Sequence, residues 1–427
     1  MTKSYLMNIF IYQIITYLFL PFVFLRLIIR AIKQPNYLCT WDERLGFYSK
    51  KLIASLKNKN IIWFHCVSVG ETNAAAPLIK ILLNKYPKHH ILITHSTPTG
   101  KDKTIINSSR IHRVYLPFDI KLSMNLFLDS FHPSVGLIFE TEIWPVMTYQ
   151  CQKKDIPLLL MNARLSEKSL NRYASIKNFS EEVCGKFKMI CVQSQEDLRS
   201  FRKITKLKNI VITGNTKFDC PLSKNKDFPI KILKKNLKLA KQIILVAGST
   251  RQGEEKIILD AIKNLDIENL TLILVPRHPQ RFKEIERLII KNKFSFATRS
   301  NMQKYNQAPQ VLLGDSMGEL LNYYDLADVV ILGGSIKNFG AQNPIEPLSL
   351  GKKVIIGPSI FNFKDIIQKA EKRKLIFRYH EHKKLNSLIK QLVASKKNIT
   401  HQQNIKYFLK NESGASKRLA DIVSQYL

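Results

Sequence analysis

Short apolar runs alternate with amphipathic stretches along most of this chain, and that alternation limits the possible folds more than any other feature. Each run has the length of a buried strand, and the stretches between have helical spacing, as at residues 72–86. Alternating strands and helices predict parallel sheets covered by helices on both faces. The predicted strands of the first half are residues 61–67, 90–94, 111–116, 134–139, 157–161, 189–192 and 211–213. Those of the second half are residues 242–247, 271–275, 311–313, 329–332 and 353–356.

The alternation occurs twice, with an interruption at residues 218–229. That stretch contains two prolines, two aspartates and two lysines, which is typical of a linker. At about 150 residues per domain, a chain of 427 residues allows two or three domains. We therefore predict an α/β fold with two Rossmann-like, doubly wound domains facing a cleft, at residues 34–217 and 230–427, with terminal helices in the second. In such folds ligands bind beyond the carboxyl ends of the strands.

The N-terminal segment is strongly apolar. Residues 4–25 contain no charged side chain, and Arg26, Arg30 and Lys33 follow. As a helix these 22 residues extend about 33 Å, enough to cross a hydrocarbon core of about 30 Å. The pattern predicts a membrane anchor at residues 1–33, with the basic residues and the domains on the cytoplasmic side of the inner membrane. Two alternatives are a cleaved signal peptide, which the length of the run disfavours, and a helix lying in one leaflet.

Composition narrows the possible partners. Lysine and arginine number 67 against 33 aspartates and glutamates, a formal net charge of +34. This excess favours a phosphorylated substrate, an anionic membrane surface or nucleic acid. Because the lysines are spread through most predicted helices, rather than gathered in one stripe with aromatic residues, nucleic acid is disfavoured. The six cysteines include no Cys-x-x-Cys pair, which indicates a reducing compartment and no structural zinc.

Several common motifs are missing from the sequence. It contains no Walker A loop, no Gly-x-Gly-x-x-Gly fingerprint and no Asp-x-Asp pair. These absences argue against a P-loop ATPase, a dinucleotide enzyme of the usual type, and a sugar transferase that holds its metal with paired aspartates.

Polar side chains follow the predicted strands of the first domain. Glu71 lies near the start of a helix, where it fits either a capping residue or an ionised base that accepts a hydroxyl proton. Glu140 and Glu142 follow a later strand, just before Trp144. They are explained either by the usual enrichment of acidic residues at the start of a helix or by a functional site. Arg164 follows the next strand, where it is available for an anionic group.

The second domain carries loops suited to phosphates and hydroxyls. Residues 247–251 are small and precede a helix, so their amides form an anion site. Arg277 follows the next strand and is able to pair bidentately with a phosphate. Residues 314–319 and 333–335 form further glycine-containing turns, and Glu346 is placed to hold sugar hydroxyls. Together these loops favour a nucleotide-linked ligand in the second domain and an acceptor in the first.

Seven segments, in this order, resemble the bacterial 3-deoxy-D-manno-octulosonic acid (Kdo) transferases that act on lipid A precursor. They extend from just after the apolar segment to the second half of the chain, and a set in this order is far more specific than any one loop. The segments are WDERLGFY at 41–48, HCVSVGE at 65–71, ETEIWP at 140–145, NARLS at 162–166, TGNTKFD at 213–219, VPRHP at 275–279 and NPIEP at 343–347.

The resemblance implies a GT-B glycosyltransferase that uses CMP-Kdo, adds Kdo to a hydroxyl of tetraacylated lipid A precursor in lipopolysaccharide biosynthesis, and needs no cofactor or bound metal. It implies that Glu71 is the general base and that Glu140 and Lys217 stabilise charge in the transition state. It also implies that CMP is held by Pro276, Arg277, Met317, Gly318, Glu319, Asn343, Pro344, Ile345 and Glu346. One departure is Gln342, which stands where the family usually has a histidine and does not titrate near neutrality.

Two alternative functions remain open at this point. One is an enzyme of the same architecture that uses another nucleotide sugar, such as an epimerase. The other is a membrane-tethered nucleic-acid-binding protein, which the net charge alone would permit.

Overall fold

The computed structural model describes residues 8–102, 106–222, 224–236, 238–304, 307–395 and 399–427. The chain divides into two compact units. The first comprises Met1–Cys220 together with Glu412–Leu427, and the second comprises Pro221–Asn411. Each unit contains a seven-stranded sheet whose paired strands are parallel. The two α/β units that the sequence predicts are therefore confirmed, and the chain passes between them within the predicted linker, residues 218–229.

The first sheet has the strand order β3-β2-β1-β4-β5-β6-β7. Successive strands run outward from β1 to one edge, and the chain then returns to place β4 on the other side of β1. The carboxyl ends of β1 and β4 thus form a topological switch point, where ligands bind in open α/β sheets. The strands are β1 (Asn60–His65), β2 (His89–His95), β3 (Ile111–Tyr115), β4 (Val135–Phe139), β5 (Leu158–Ala163), β6 (Met189–Val192) and β7 (Ile210–Ile212).

Helices cover both faces of this sheet, which is why its central strands are apolar throughout rather than alternating. In β1, for example, Ile62, Trp63 and Phe64 are all fully buried. The helices of the first unit are α1 (Ile9–Lys33), α2 (Lys50–Leu56), α3 (Val69–Lys85), α4 (Pro98–Asp102), α5 (Lys121–Phe131), α6 (Pro145–Lys153), α7 (Glu167–Ser175), α8 (Lys177–Cys184) and α9 (Gln195–Ile204). Short 3-10 helices lie at Pro35–Tyr37, Trp41–Leu45 and Thr216–Asp219.

The second sheet has its switch point between β8 and β12, in the order β10-β11-β9-β8-β12-β13-β14. The edge strands β10 and β14 are absent from the sequence prediction. Each has three residues and ends in a polar side chain, Thr298 or Arg378, so neither is the continuous apolar run that marked the equally short β7 and β11. The strands are β8 (Ile243–Thr250), β9 (Leu270–Pro276), β10 (Phe296–Thr298), β11 (Val311–Leu313), β12 (Val329–Leu332), β13 (Lys353–Ile356) and β14 (Ile376–Arg378).

Helices also cover both faces of the second sheet. They are α10 (Ile230–Asn236), α11 (Glu254–Lys263), α12 (Phe282–Lys291), α13 (Leu320–Leu326), α14 (Ile345–Ser349), α15 (Lys364–Lys372), α16 (Lys384–Ala394) and α17 (Ile399–Glu412). Further 3-10 helices lie at Leu239–Lys241, Pro279–Arg281 and Arg299–Lys304.

The last helix, α18 (Ala415–Val423), belongs to the first unit. Its buried side chains Leu419 and Val423 join the apolar cluster that contains Ile79 and Leu83 of α3. Asp219 accepts hydrogen bonds from the backbone amides at the start of α18 (Gly414 N, 2.6 Å; Ser416 N, 2.6 Å). The predicted boundary, which placed all of residues 230–427 in the second domain, differs from the structure here, because burial of this apolar face joins α18 to the first unit.

Helix α1 is long and apolar enough to cross a membrane, and most of its large side chains are exposed. One side of it nevertheless packs on the first unit. The Tyr12 hydroxyl donates to Asp119 (3.0 Å), and the Phe24 ring lies 5.5 Å from that of Phe118 and 6.0 Å from that of Trp41. Residues 1–7 of the predicted anchor lie outside the described residues.

Candidate functional site

Glu71 and Glu140 both lie at the switch point of the first sheet. Glu71 is in the first turn of α3, which follows β1, and Glu140 directly follows β4. Since β1 and β4 are adjacent parallel strands, the topology brings together two carboxylates that are far apart in sequence. Their mutual repulsion contributes to the pKa of Glu71, so the two charges sense each other.

The Glu71 carboxylate bends back over the start of its own helix. It accepts hydrogen bonds from the Val67 amide (2.6 Å) and the Ser68 hydroxyl (3.1 Å), and Ser68 caps α3 in return. Burial, reinforced by the negative charge of Glu140, raises the pKa of Glu71 to about 8. Each carboxylate oxygen has two lone pairs, so each is able to accept a further proton or hydrogen bond. Glu71 thus caps its helix and also has a raised pKa, so the capping interpretation does not exclude its proposed role as a base.

Glu140 has the opposite electrostatic environment. Its carboxylate lies 3.2 Å from Lys217 Nζ and 3.2 Å from Arg164 Nε. Burial acts to raise the pKa of Glu140, but the two cations outweigh it and hold that pKa below its usual range. The residue also has a φ of 60°, in the left-handed region that non-glycine residues rarely occupy. Such strain persists only where the surroundings impose it, which is typical of functional sites.

Lys217 reaches Glu140 because the chain around it is fixed by asparagines. Asn215 Oδ1 accepts from the Lys217 amide (3.0 Å), which begins the short helix Thr216–Asp219. Fully buried Asn162 accepts from the Thr216 amide (3.1 Å) and, like Glu140, has a positive φ. The motifs at 140–145, 162–166 and 213–219 therefore meet at one edge of the sheet.

The sequence position of Arg164 suggested a side chain available for an external anion. In the structure its guanidinium instead pairs with Glu140. Glu142 accepts a hydrogen bond from the indole of Trp144 (2.8 Å), whose side chain is 36% exposed. Burial raises the pKa of Glu142, and its charge in turn raises the pKa of Glu71.

The segment at residues 41–48 is also tied to the carboxyl edge of the first sheet. Glu43 accepts from Lys101 Nζ (2.7 Å) and from the Tyr115 amide (2.7 Å). The Tyr115 ring is flanked by two cations, with Arg44 at 4.0 Å and Lys101 at 4.5 Å from its centroid. This contact holds both cations beside Tyr115, at the end of β3.

In the second unit, the predicted nucleotide loops follow strands β8, β9, β11 and β12. Gly248 at the end of β8 has no room for a side chain, since a Cβ there would meet the Tyr324 hydroxyl at 2.2 Å. The next residue, Ser249, has a φ of 56°. The Arg277 amide donates to the Thr250 carbonyl (3.0 Å), so the loops after β8 and β9 are joined.

Fully buried Glu254 organises these loops, a role that no pattern in the sequence predicts. Its carboxylate accepts from four backbone amides: Gly334 (2.7 Å), Arg251 (2.8 Å), Ile336 (2.9 Å) and Lys337 (3.1 Å). It therefore connects the loop after β8 to the loop after β12. The sequence shows only an acidic residue at a helix start, which does not reveal partners about eighty residues away.

Among the residues expected to hold CMP, Glu319 already uses its carboxylate for hydrogen bonds within the protein. Its carboxylate accepts from Arg299 (3.0 and 2.8 Å), from the Ser316 hydroxyl and from the Tyr323 hydroxyl. Met317 and Gly318 are exposed, and Gly318 has a φ of 79° with open space where a side chain would lie. The turn therefore leaves its backbone exposed, while Glu319 holds that backbone in place.

The remaining CMP candidates surround the start of α14. Asn343 donates to Glu346 (3.2 Å) and accepts from the Ile345 amide (3.1 Å), while Pro344 precedes the helix. Burial raises the pKa of Glu346, against the lowering effects of Asn343 and of the nearby Arg277. Pro276 ends β9 immediately before the exposed Arg277. Gln342 bonds through its backbone amide to the Gly333 carbonyl (3.0 Å).

Within the described ranges, no group of three or more histidine, cysteine, aspartate or glutamate side chains is placed to hold a metal ion.

Comparison with known proteins identifies the family. A family model described as 3-deoxy-D-manno-octulosonic-acid transferase (kdotransferase) matches residues 39–220. A protein of Haemophilus influenzae named 3-deoxy-D-manno-octulosonic acid transferase is 35% identical over 405 residues, 93% of each chain. The chain belongs to the Kdo transferase family. It is a glycosyltransferase that transfers Kdo in lipopolysaccharide biosynthesis.

Other relatives agree with this membership. A Kdo transferase of Bordetella pertussis is 32% identical over 72% of this chain and 74% of its own. The UDP-GlcNAc 2-epimerase of Neisseria meningitidis, solved with UDP-GlcNAc, is 14% identical and covers 86% of this chain and 99% of its own, with a TM-score of 0.57. At that identity the epimerase shows the fold alone, and it confirms the predicted architecture of the Kdo transferase chain.

Proposed function

We propose that this Kdo transferase takes Kdo from CMP-Kdo and adds it to a hydroxyl of tetraacylated lipid A precursor, with Glu71 as the general base. The observation that carries the proposal is the environment of Glu71, a partly buried carboxylate beside a second carboxylate at the switch point of the first sheet. The proposed donor and acceptor are those that the resemblance to Kdo transferases implies, and membership of that family supports them.

The reaction forms one bond and breaks one bond at the anomeric carbon of Kdo. The acceptor oxygen attacks that carbon while its proton passes to the Glu71 carboxylate, and the bond to the CMP phosphate breaks with its electron pair. A base is effective when its pKa lies near the working pH, and the raised pKa of Glu71 meets this condition.

Lys217 and Glu140 stabilise the charges that develop in this step. Arg164 and Lys217 bring two positive charges to the single negative charge of Glu140, so the cluster is cationic overall. The net positive charge of such a cluster stabilises the negative charge that builds on the departing phosphate. Preorganised groups of this kind are typically worth about 3–4 kcal/mol each in the transition state.

The second unit supplies the contacts to CMP. Arg277 is exposed and suits the phosphate, and the Met317–Gly318 backbone and the Asn343–Glu346 segment suit the base and ribose. Glu319 contributes indirectly, since its carboxylate is fully engaged in holding the turn.

We place the protein at the inner membrane through α1, with both units on the cytoplasmic side. The contacts of Tyr12 and Phe24 with the first unit are twelve residues apart, about 18 Å along the helix. A helix held along a polar unit over that distance does not cross the bilayer freely. This favours α1 lying in one leaflet, with its exposed side chains, such as Leu18 and Phe22, among the lipids.

The test is incubation of the purified chain with CMP-Kdo and tetraacylated lipid A precursor, with the product mass read by mass spectrometry. Wild-type protein should add Kdo, and Glu71→Gln should keep its fold and CMP affinity but lose about 10²–10⁴ in turnover. The exposed Glu167→Gln, at the start of another helix in the same unit, is the matched control and should behave as wild type.

Two results would contradict parts of the proposal. Transfer by Glu71→Gln at the parent rate would assign the base elsewhere, with Glu140 the next candidate. Failure of wild type with CMP-Kdo, but transfer from another nucleotide sugar, would overturn the donor.

A further inference from the structure

Two arginines stand side by side at the carboxyl edge of the second sheet. Arg251 follows β8 and Arg277 follows β9, and these neighbouring strands are about 4.8 Å apart. Among the described residues, neither arginine has a carboxylate within 4.0 Å. Other arginines of the same unit do have such partners, as Arg281 has Glu255 (2.8 Å) and Arg299 has Glu319 (2.8 Å). The edge therefore holds two adjacent positive charges without a direct ion-pair partner among the described residues, although Glu346 lies close enough to sense the charge of Arg277.

Other contacts hold the Arg251 side chain in place, although it has no carboxylate partner among the described residues. Its Nη1 donates to His278 Nε2 at 2.5 Å, and its guanidinium lies over the Phe339 ring at 5.1 Å. Its Nε is buried and has no hydrogen-bond partner within the described part of the chain. A buried, charged donor without a partner is costly, and that cost falls when an anion binds beside it.

His278 orients Arg251 without adding charge. Because its Nε2 accepts a hydrogen bond from a guanidinium, that nitrogen carries no proton. Burial and the positive charges of Arg251, Arg277 and Arg281 all lower the pKa of His278, which keeps the ring neutral. The arrangement holds the guanidinium of Arg251 in place before a ligand arrives, beside the exposed Arg277.

The proposed donor carries two anionic groups on neighbouring positions. Kdo is a ketosugar acid, so its anomeric carbon bears both the carboxylate and the bond to the CMP phosphate. We propose that Arg251 binds the carboxylate of the sugar acid while Arg277 binds the adjacent phosphate. This rests on the proposed function, and it makes Arg251 the residue that selects an acidic sugar over the neutral sugars of most nucleotide donors. A guanidinium is well suited to this because its planar donors match a carboxylate.

The experiment compares a ligand that lacks the sugar carboxylate with one that has it. CMP is titrated by calorimetry, and CMP-Kdo is assayed by the initial rate of transfer. Arg251→Gln should lower kcat/KM for CMP-Kdo by about 10- to 100-fold, the usual range for a lost hydrogen bond to a charged group, and should change CMP affinity by less than about threefold. Arg251→Lys should recover part of the loss. Arg277→Ala should weaken CMP and CMP-Kdo alike.

A matched control is Arg287→Gln, which removes an exposed arginine from α12 in the same unit and should change neither measurement. If Arg251→Gln weakens CMP as much as it weakens CMP-Kdo, Arg251 binds the phosphate or supports the loop, and the proposal is wrong. If it changes neither, the carboxylate is bound elsewhere. If wild type itself does not use CMP-Kdo, the proposed function fails, and that outcome is distinct from both.

Discussion

At the scale of single residues, Glu71 and Glu140 show how one sheet edge keeps two carboxylates in different states. Both are largely shielded from water, and burial alone would raise the pKa of each. Lys217 and Arg164 reverse the effect for Glu140, whereas the partners of Glu71 among the described residues are an amide and a hydroxyl. Pairs of titratable groups with opposite shifts mark acid–base roles, and these shifts support the proposal that Glu71 is the base.

The first prediction concerns the pH dependence of transfer. Glu71 accepts a proton only when ionised, so kcat/KM should rise with pH to a plateau, with a midpoint near its pKa of about 8. Glu142→Gln should move the midpoint to lower pH, because the charge of Glu142 raises the pKa of Glu71. The measurement is a pH–rate profile for wild type, Glu142→Gln and Glu71→Gln. An unchanged rise in Glu71→Gln would show that another group titrates.

The second prediction concerns stability. Because the folded pKa of Glu71 lies above its ordinary value of 4.5, ionisation is disfavoured in the folded state, and stability is lost as pH rises toward about 8. Glu71→Gln removes this cost, so the variant should be more stable than wild type by roughly 2–4 kcal/mol at about pH 9, after allowance for partial exposure. Near pH 5 the difference should almost vanish. Urea unfolding at both pH values measures it, and equal stabilities at high pH would mean that Glu71 is solvated.

At the scale of helices and strands, the sequence predicts which residues are candidates for the functional site better than it predicts the contacts that position them. Long apolar runs and the polar residues just after them identify Glu71, Glu140, Arg277 and Glu346 as candidates, because a strand's period and its end are local features. The partnership of Glu254 with three amides of the loop after β12 is not local, and no pattern predicts it. For the same reason the sequence does not show that Arg164 has a partner, whereas the fold places Glu140 beside it.

Helix α1 provides the third prediction. Full-length protein should stay on anionic vesicles in high salt, whereas removal of residues 1–33 should release it, because salt screens charge attraction but not apolar insertion. Leu18→Glu with Phe22→Glu, on the exposed side, should also release the protein. Tyr12→Phe, on the side facing Asp119, should leave it bound. Flotation at low and high salt decides, and a full chain that salt alone removes would show that α1 does not insert.

At the scale of the whole molecule, chain order and domain order differ. The chain forms the first unit, then the second, and then returns to complete the first with α18. That helix packs against α3, the helix whose first turn carries Glu71, so the end of the sequence supports the position of the proposed base. The sequence shows α18 as one more amphipathic helix, and amphipathicity identifies the face that is buried but not the surface that buries it.

The fourth prediction tests this return. Leu419 is fully buried against α3, so Leu419→Ala should lower the stability of the first unit by about 2–4 kcal/mol, the usual cost of such a truncation. Hydrogen exchange resolves the units, because amides of β1 report the first and amides of β8 report the second. Exchange should accelerate in β1 and stay unchanged in β8, and turnover should fall as the start of α3 loosens. Lys417→Ala, exposed on the same helix, is the matched control and should change neither strand. Faster exchange in β8 instead would assign α18 to the second unit, as the sequence-based boundary had it.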